Sequence, residues 1–434
     1  MDPLMLAGIV VLILIILILL GMPIAFALFL IGFLGYGYVA GFDVALGFLT
    51  VKSFEVLNSF SFVCIPLFVA MGLVAAEAGF VTQAFDVARK WVGRLPGGLA
   101  ASTTLACAAY GAVSGSSAAM AASMGVIAYP EMRKLNYNPG FSASCIAVGA
   151  TIGILIPPSL PMILYGIILD TSIAKLFIAG ILPGLMLTII LLFFISTYAK
   201  LNPRLAPTST ETHTWKERIF SLKEMLPIIA LFIIVIGGIY GGIFTPSEAA
   251  ALGAFAAVIM AVSLRRLNRK KTITILTETG LVCGMLFLVI LGAIVLSDFM
   301  IVSGIGRAMG ALVTGLGLPK WGVLMGVVIV FLFLGMLMDV VGLFMITLPI
   351  FTPIMTALGF DLIFFGVFAT ILAESCLITP PVGLNVYVLA GVAKDTSLED
   401  IFKRVLYLLP AQMIVLVLIV VFPQIATWLP GTMR

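Results

Sequence analysis

Charge is scarce in this chain: Asp, Glu, Lys and Arg make up 10% of 434 residues, and His213 is the one histidine. Residues 4–40 carry no charge, and neither do 95–130, 135–169, 176–199, 225–247, 321–338, 340–360 and 405–433. Soluble domains carry about 25% charged residues, so a water-exposed globule is excluded. Alternating segments of about ten residues are absent too, which excludes a transmembrane barrel. The five cysteines, Cys64, Cys107, Cys145, Cys283 and Cys376, form no CxxC pair and read as small buried hydrophobes. His213 lies in the polar run "TSTETHTWKER", a poor place for a metal ligand or proton relay. No GxxxxGK[ST] loop, HExxH or Ser/His arrangement is present, so neither ATP hydrolysis nor an intramembrane enzyme is expected. The net charge of +4 is attributed to cytoplasmic loops, and no nucleic-acid partner is expected.

What is there is apolar. Hydrophobic residues make up 62% and mean hydropathy is +1.27. Each charge-free run fits one or two helical spans of about 20 residues, or shorter re-entrant pieces. The run from 4 to 20 lacks a basic leader and continues through "GMPIAF" into a second apolar helix, so it reads as a retained span. The fold class is therefore an all-α polytopic membrane protein.

The chain also contains itself twice. Pro23, Pro96, Pro130, Pro157 and Pro158 recur 223 residues on as Pro246, Pro319, Pro353, Pro380 and Pro381. Leu95, Met132 and Leu135 recur likewise as Leu318, Met355 and Leu358, and Asp170-Thr171-Ser172 returns as Asp395-Thr396-Ser397 after a slip of two. This predicts two repeats, residues 1–200 and 225–434, joined by a cytoplasmic linker over 201–224. Bases cluster at different places in the two: Arg89, Lys90, Arg94, Arg133 and Lys134 have few counterparts in the second half. Conversely "RRLNRKK" from Arg265 to Lys271 faces a stretch without bases. The positive-inside rule then places 89–94, 131–134, 200–223, 265–271 and 394–404 in the cytoplasm and makes the repeats inverted. The expected count is ten spans and two re-entrant hairpins. Hairpins are expected at 99–129 and 321–353, broken helices at 140–169 and 362–391, and both termini in the periplasm.

Inverted repeats, each with a hairpin and an interrupted helix, fit a secondary transporter. In "GATIGILIPPSLP", Pro157, Pro158 and Pro161 remove backbone donors; in "AESCLITPPVGLN", Pro380, Pro381 and Gly383 do the same. Carbonyls stripped of helical partners cost several kcal/mol in hydrocarbon unless something binds them. A desolvated Na⁺ is one such partner, while half-helix N-termini suit a carboxylate. The first tip, "YGAVSGSSAAM", clusters Ser114, Gly115, Ser116 and Ser117, either as oxygen ligands for a hard cation or as small residues for tight packing. In the second, "LGMLMDVVGLF", Asp339 stands 223 after Ser116, with Gly342 nearby. Asp339 and Glu374 are the carboxylates placed deepest; Glu374 reads equally as a functional group or as a structural acceptor. Glu248 has a local explanation, a capping box with Thr245 around Pro246.

"SGSSAA" followed by "GILIPPS", and Met338-Asp339 followed by "ESCLITPPVGLN", resemble the large membrane subunit of tripartite ATP-independent periplasmic (TRAP) transporters, across nearly the whole chain. The family's usual glycine after the second-break glutamate is Ser375 here, followed by Cys376. The resemblance implies Na⁺-coupled uptake of a small organic acid, such as a C4-dicarboxylate or sialic acid, across the bacterial or archaeal cytoplasmic membrane. It implies an elevator movement and at least two coupling Na⁺ ions. The implied partners are a periplasmic substrate-binding protein and a small four-helix membrane subunit, the latter expected as a separate chain. The first Na⁺ site would use Ser114 and Ser117 with backbone oxygens near Gly153, Ile156 and Pro158. The second would use the tip around Asp339 and Gly342 with Cys376, Thr379 and Pro381. The substrate would sit near Ser116 and Asn385, and the arms 80–94 and 304–320 would serve as hinges. Two other readings stay open: a stand-alone Na⁺/carboxylate importer that needs no binding protein, and a channel.

Overall fold

The computed structural model describes residues 2–207, 213–315, 317, 319–336 and 338–433. Residues 208–212 of the linker, Leu316 and Leu318 of the second arm and Leu337 at the second tip lie outside the described residues. Among the described residues every regular element is helical.

The first half opens with α1 (Pro3–Leu19), α2 (Ile24–Ala40) and α3 (Phe42–Asn58). Asp2 caps α1 through the Leu4 N–H at 3.1 Å, with Pro3 preset for the first turn. Helix α3 carries Asp43, Lys52 and Glu55, falls outside the charge-free runs and lies on α2. After a short 3-10 turn come α4 (Cys64–Glu77) and the amphipathic arm α5 (Phe80–Val92), set apart by Gly79 at φ 76°.

The first hairpin follows as α6 (Gly98–Ser114) and α7 (Ser117–Lys134). Its second arm runs five residues past the expected end at 129, because Pro130 is carried inside the helix, and Arg133 and Lys134 occupy the last turn, where the helix dipole favours bases. The broken helix comprises α8 (Pro139–Ala150), α9 (Ile152–Leu155) and α10 (Leu160–Ile168), bent by 42° at the break. Asn138 caps α8 and Ser159 caps α10, so each segment restarts with its own donor satisfied. Helix α11 (Ile173–Leu201) closes the half.

The second half runs through α12 (Trp215–Ser221), α13 (Leu226–Phe232), a π turn, α14 (Gly238–Tyr240) and α15 (Pro246–Ser263). The Thr245–Glu248 capping box expected at the start of α15 is present, with Glu248 accepting from the Thr245 N–H at 2.8 Å. Next comes α16 (Arg269–Val302), a single helix of 34 residues. At 1.5 Å per residue it is about 50 Å long, more than the roughly 30 Å apolar core of a bilayer. The arm α17 (Ile305–Gly315) leads to the second hairpin, α18 (Lys320–Gly335) and α19 (Val340–Ala357). Here too the helix carries its prolines, Pro349 and Pro353, and ends at 357 rather than 353. The chain finishes with α20 (Leu362–Cys376), α21 (Leu384–Val392), α22 (Leu398–Val421) and α23 (Gln424–Gly431). Isolated prolines are thus absorbed, and the Pro157-Pro158 and Pro380-Pro381 pairs mark the breaks; two adjacent residues without an N–H remove consecutive rungs of the ladder.

Among the described residues seven helices are long and apolar enough to cross a membrane, or eight with α8 to α10 taken as one span. Helices α1, α2, α18 and α20 are apolar but shorter, at 17 residues or fewer. Against the expected ten spans, α1 and α2, at 17 residues each, lie at the short end of the range that crosses a bilayer. Helix α2 packs along α16 and α15 along α4, so each half holds an outer helix of the other. The segments expected in the cytoplasm meet at one end: Arg89 pairs with Glu131 at 3.3 Å, Lys90 with Glu224 at 3.4 Å and Arg133 with Asp395 at 2.8 Å. Arg266 and Lys271 donate to the carbonyls of Ala78 and Glu77.

Candidate functional site

The first tip is seated on the first break. Gly115, at φ 65° where a side chain would be strained, ends α6, and its carbonyl accepts the Leu160 N–H at 3.3 Å. A Cβ on Gly115 would meet the Pro158 oxygen at 2.8 Å, and one on Gly111 would meet the Gly153 Cα at 2.7 Å. The structure therefore brings together Ser114, Gly153 and Pro158 of the expected first ion site. Ser114, Ser117 and residues 153–159 are buried. Among the described residues the carbonyls of Ile156 and Pro158 accept no hydrogen bond, which leaves oxygens of the kind a hard cation takes.

Ser117 has a partner that the sequence does not reveal. Its hydroxyl donates to Glu374 Oε1 at 3.0 Å across 257 residues, with both side chains at 1% exposure. Glu374 Oε2 has no partner among the described residues. At the equivalent place in the first half, Thr151 receives a hydrogen bond from buried Gln412 instead, at 2.5 Å.

The second break is built differently. The Cys376 thiol donates to the Leu372 carbonyl at 3.1 Å and to that of Phe331 at 3.3 Å, and a Cβ on Gly335 would lie 2.5 Å from the Cys376 Cβ. Hairpin and break thus touch here as well. The Thr379 hydroxyl donates to the Ser375 carbonyl at 2.6 Å, which leaves its lone pairs free to accept. The carbonyls of Thr379 and Pro381 accept nothing among the described residues. Pro381 and Val382 are exposed, whereas their counterparts Pro158 and Ser159 are buried, so the second break is the open one. Asp339 caps α19, accepting the Gly342 N–H at 3.1 Å. A Cβ on Gly342 would meet Ile24 of α2 at 2.5 Å, so this tip leans on an outer helix.

Helices α7 and α21 run side by side and parallel. A Cβ on Gly125 would meet Leu389 at 3.1 Å and Val392 at 3.4 Å, and further along Tyr129 and Arg133 both hydrogen-bond Asp395. Their N-termini consequently lie at one level, at Ser116 and Gly383. Ser116 caps α7 through the Ala119 N–H at 3.4 Å and is partly exposed. Asn385 is 0% exposed, and neither its Oδ1 nor its Nδ2 has a partner among the described residues. Two adjacent positive helix ends and an unsatisfied amide suit an anion. The α19 N-terminus does not, since the Asp339 carboxylate already occupies it. Among the described residues no group of three or more His, Cys, Asp or Glu could hold a metal ion.

A cleft of about 500 Å³ separates α3, α15 and α16 from the α10–α11 corner. Its walls include Lys52, Ser61, Ile294 and Thr171 but neither Glu374 nor Asn385.

An all-helical chain with seven or eight apolar spans among the described residues defines a helical multi-pass membrane protein. The chain belongs to the tripartite ATP-independent periplasmic transporter DctM component family, whose model matches residues 11–425. It is similar to the C4-dicarboxylate TRAP transporter large permease protein DctM of Pseudomonas aeruginosa, at 34% identity over 88% of this chain and 89% of that protein. It is also similar to the isethionate TRAP transporter permease protein DctMQ of Oleidesulfovibrio alaskensis, at 31% identity over 91% of this chain and 62% of that protein. Among solved structures, the YdaH transporter of Alcanivorax borkumensis shares the fold, with a TM-score of 0.63 at 14% identity over 89% of this chain and 90% of that one.

Proposed function

We propose that this chain is the membrane subunit that carries a small organic anion into the cell together with Na⁺, receiving it from a periplasmic binding protein and working beside a small membrane subunit. The observation that carries the reading is the pair of level, parallel helix ends at Ser116 and Gly383, beside the unpaired Asn385 amide and flanked by two proline breaks. Neither break contains an arginine or lysine. The anion is held by backbone N–H groups, hydroxyls and the Asn385 amide, and co-bound Na⁺ offsets its charge. Ser114, Ser117 and the carbonyls near Gly153, Ile156 and Pro158 serve one ion. Thr379, Pro381 and Cys376 with the Asp339–Gly342 tip serve the other. Relatives named for a dicarboxylate and for isethionate support an acidic substrate with either a carboxylate or a sulfonate group.

The halves are read as inverted repeats with the ion-paired end in the cytoplasm. Equivalent helices supporting this include α7 and α19, each of 18 residues and starting 223 apart, and the reciprocal packing of α2 on α16 and α15 on α4. Exchange of conformations between inverted halves turns an outward site into an inward one. Hairpins and broken helices move as one body against α1–α4 and α13–α16, and the cleft beside Thr171 gives that body room. Proteoliposomes holding this chain and the small subunit test the reading. Uptake is expected only with the loaded binding protein outside and Na⁺ present, and transport that persists without the binding protein favours a stand-alone importer instead.

A further inference from the structure

The first tip touches both breaks, and the contact with the second is a single buried hydrogen bond. Gly115 and Gly111 set the tip against Pro158 and Gly153, while Ser117 reaches Glu374 in the last turn of α20. Glu374 stands two residues before Cys376 and five before Thr379. With its Oε2 unpartnered, the Ser117 hydroxyl is the one side-chain hydrogen bond that orients this carboxylate among the described residues. Among the described residues no equivalent hydrogen bond joins the second tip to the first break, although Phe344 of α19 packs on Tyr165 of α10: the residue equivalent to Ser117 is Val340, and Thr151 is held by Gln412 from α22. This hydrogen bond is therefore one-sided, whereas apolar packing joins each hairpin to the other half.

We propose that Glu374 is a positioning residue that couples the two candidate ion sites. This inference rests on the Na⁺ reading above. Ser117 has one proton, and Glu374 takes it, so only lone pairs remain to face an ion at the first site. An ion there fixes the Ser117 hydroxyl and, through it, the Glu374 carboxylate and the end of α20. The Thr379 and Cys376 oxygens and sulfur that begin the second site hang from that same turn. Filling the first site thus preorganises the second, which is positive coupling through a contiguous pair of groups. Glu374 itself touches neither the ion nor the substrate.

The test is Na⁺ binding to purified chain in detergent, followed as the thermal-unfolding midpoint against Na⁺ concentration with K⁺ keeping ionic strength constant. Wild type is expected to respond with a Hill coefficient well above 1. Glu374→Ala, which leaves every proposed ligand in place, is expected to drop it to about 1. Glu374→Gln, whose amide oxygen still accepts from Ser117, should restore most of the steepness. If the alanine variant does not fold, Glu374→Asp serves in its place, since a side chain shorter by one methylene loses the 3.0 Å contact. An unchanged Hill coefficient in a folded Ala or Asp variant overturns the coupling role and leaves Glu374 a structural acceptor. A wild-type coefficient near 1 overturns it as well. No difference between Na⁺ and K⁺ in wild type points instead to failure of the underlying Na⁺ reading.

Discussion

Arg133 donates from Nε to Asp395 Oδ2 at 2.8 Å, fastening the end of the first hairpin to the end of the second broken helix. Tyr129 donates to the other carboxylate oxygen of Asp395. The Tyr129 hydroxyl, and after it Arg133, holds the Asp395 carboxyl below the usual carboxylate range. A depressed folded pKa means that the clamp's contribution is fully present above the unfolded value of about 3.9 and is lost as pH falls through the folded value beneath it. Both side chains are partly solvent-exposed, so the pair is worth no more than about 1 kcal/mol. Asp395→Asn should lower the thermal midpoint slightly at neutral pH. Wild type and variant should converge in a pH series taken down below 4; a gap that persists there would assign the effect to packing.

Asn385 leads to a test of substrate recognition. Removing one buried polar partner costs about 1–3 kcal/mol, so Asn385→Ala is expected to raise the half-saturating substrate concentration roughly fivefold to a hundredfold. Asn385→Asp should be worse, because it sets a carboxylate beside the two helix ends that are to receive an anion. Uptake kinetics that show an unchanged KM for either variant would remove Asn385 from the site.

Ser114→Ala and Thr379→Ala separate the two ion positions. Each is expected to raise the Na⁺ concentration for half-maximal uptake by a similar factor, with little change in folding. Thr379 spends its proton on the Ser375 carbonyl, so the alanine variant also tests whether the hydroxyl's lone pairs face an ion. A normal Na⁺ dependence in either would make that residue a packing element.

The contact of Gly342 with Ile24 offers a way to arrest the moving body. In a chain with its five native cysteines replaced, Ile24→Cys with Gly342→Cys should lose uptake on oxidation and regain it on reduction. Equal uptake in both states, with the cross-link confirmed by mass spectrometry, would replace rigid-body movement by a local gate.

The breaks were legible because adjacent prolines act locally: Pro157-Pro158 and Pro380-Pro381 remove donors wherever the rest of the chain lies. Helix ends were less so. Pro130 and Pro353 resemble terminators in sequence, but each sits where a helix tolerates one missing rung, and the arms extend to Lys134 and Ala357. Helix α3 falls outside the charge-free runs because it carries Asp43, Lys52 and Glu55. The Ser117–Glu374 and Arg133–Asp395 pairs join positions more than 250 residues apart. Spacing along the chain encodes which face of a helix is apolar, not which distant helix it meets. The matching fall of Ser116 on Asp339 under the repeat drew attention to both tips, yet the unpaired amide of Asn385 and the hydrogen bond of Ser117 to Glu374 emerge only from the packed helices.

Coupling of the anion to Na⁺ is measured most directly by following both solutes in the same vesicles. Proteoliposomes with the small subunit and loaded binding protein would receive labelled substrate and ²²Na⁺ together, and the two influxes would be compared as substrate is titrated. The expected result is Na⁺ entry that rises in proportion to substrate entry, with more than one Na⁺ for each anion, and that disappears without substrate. Substrate that accumulates against its gradient while ²²Na⁺ entry stays at the level of empty vesicles would contradict it.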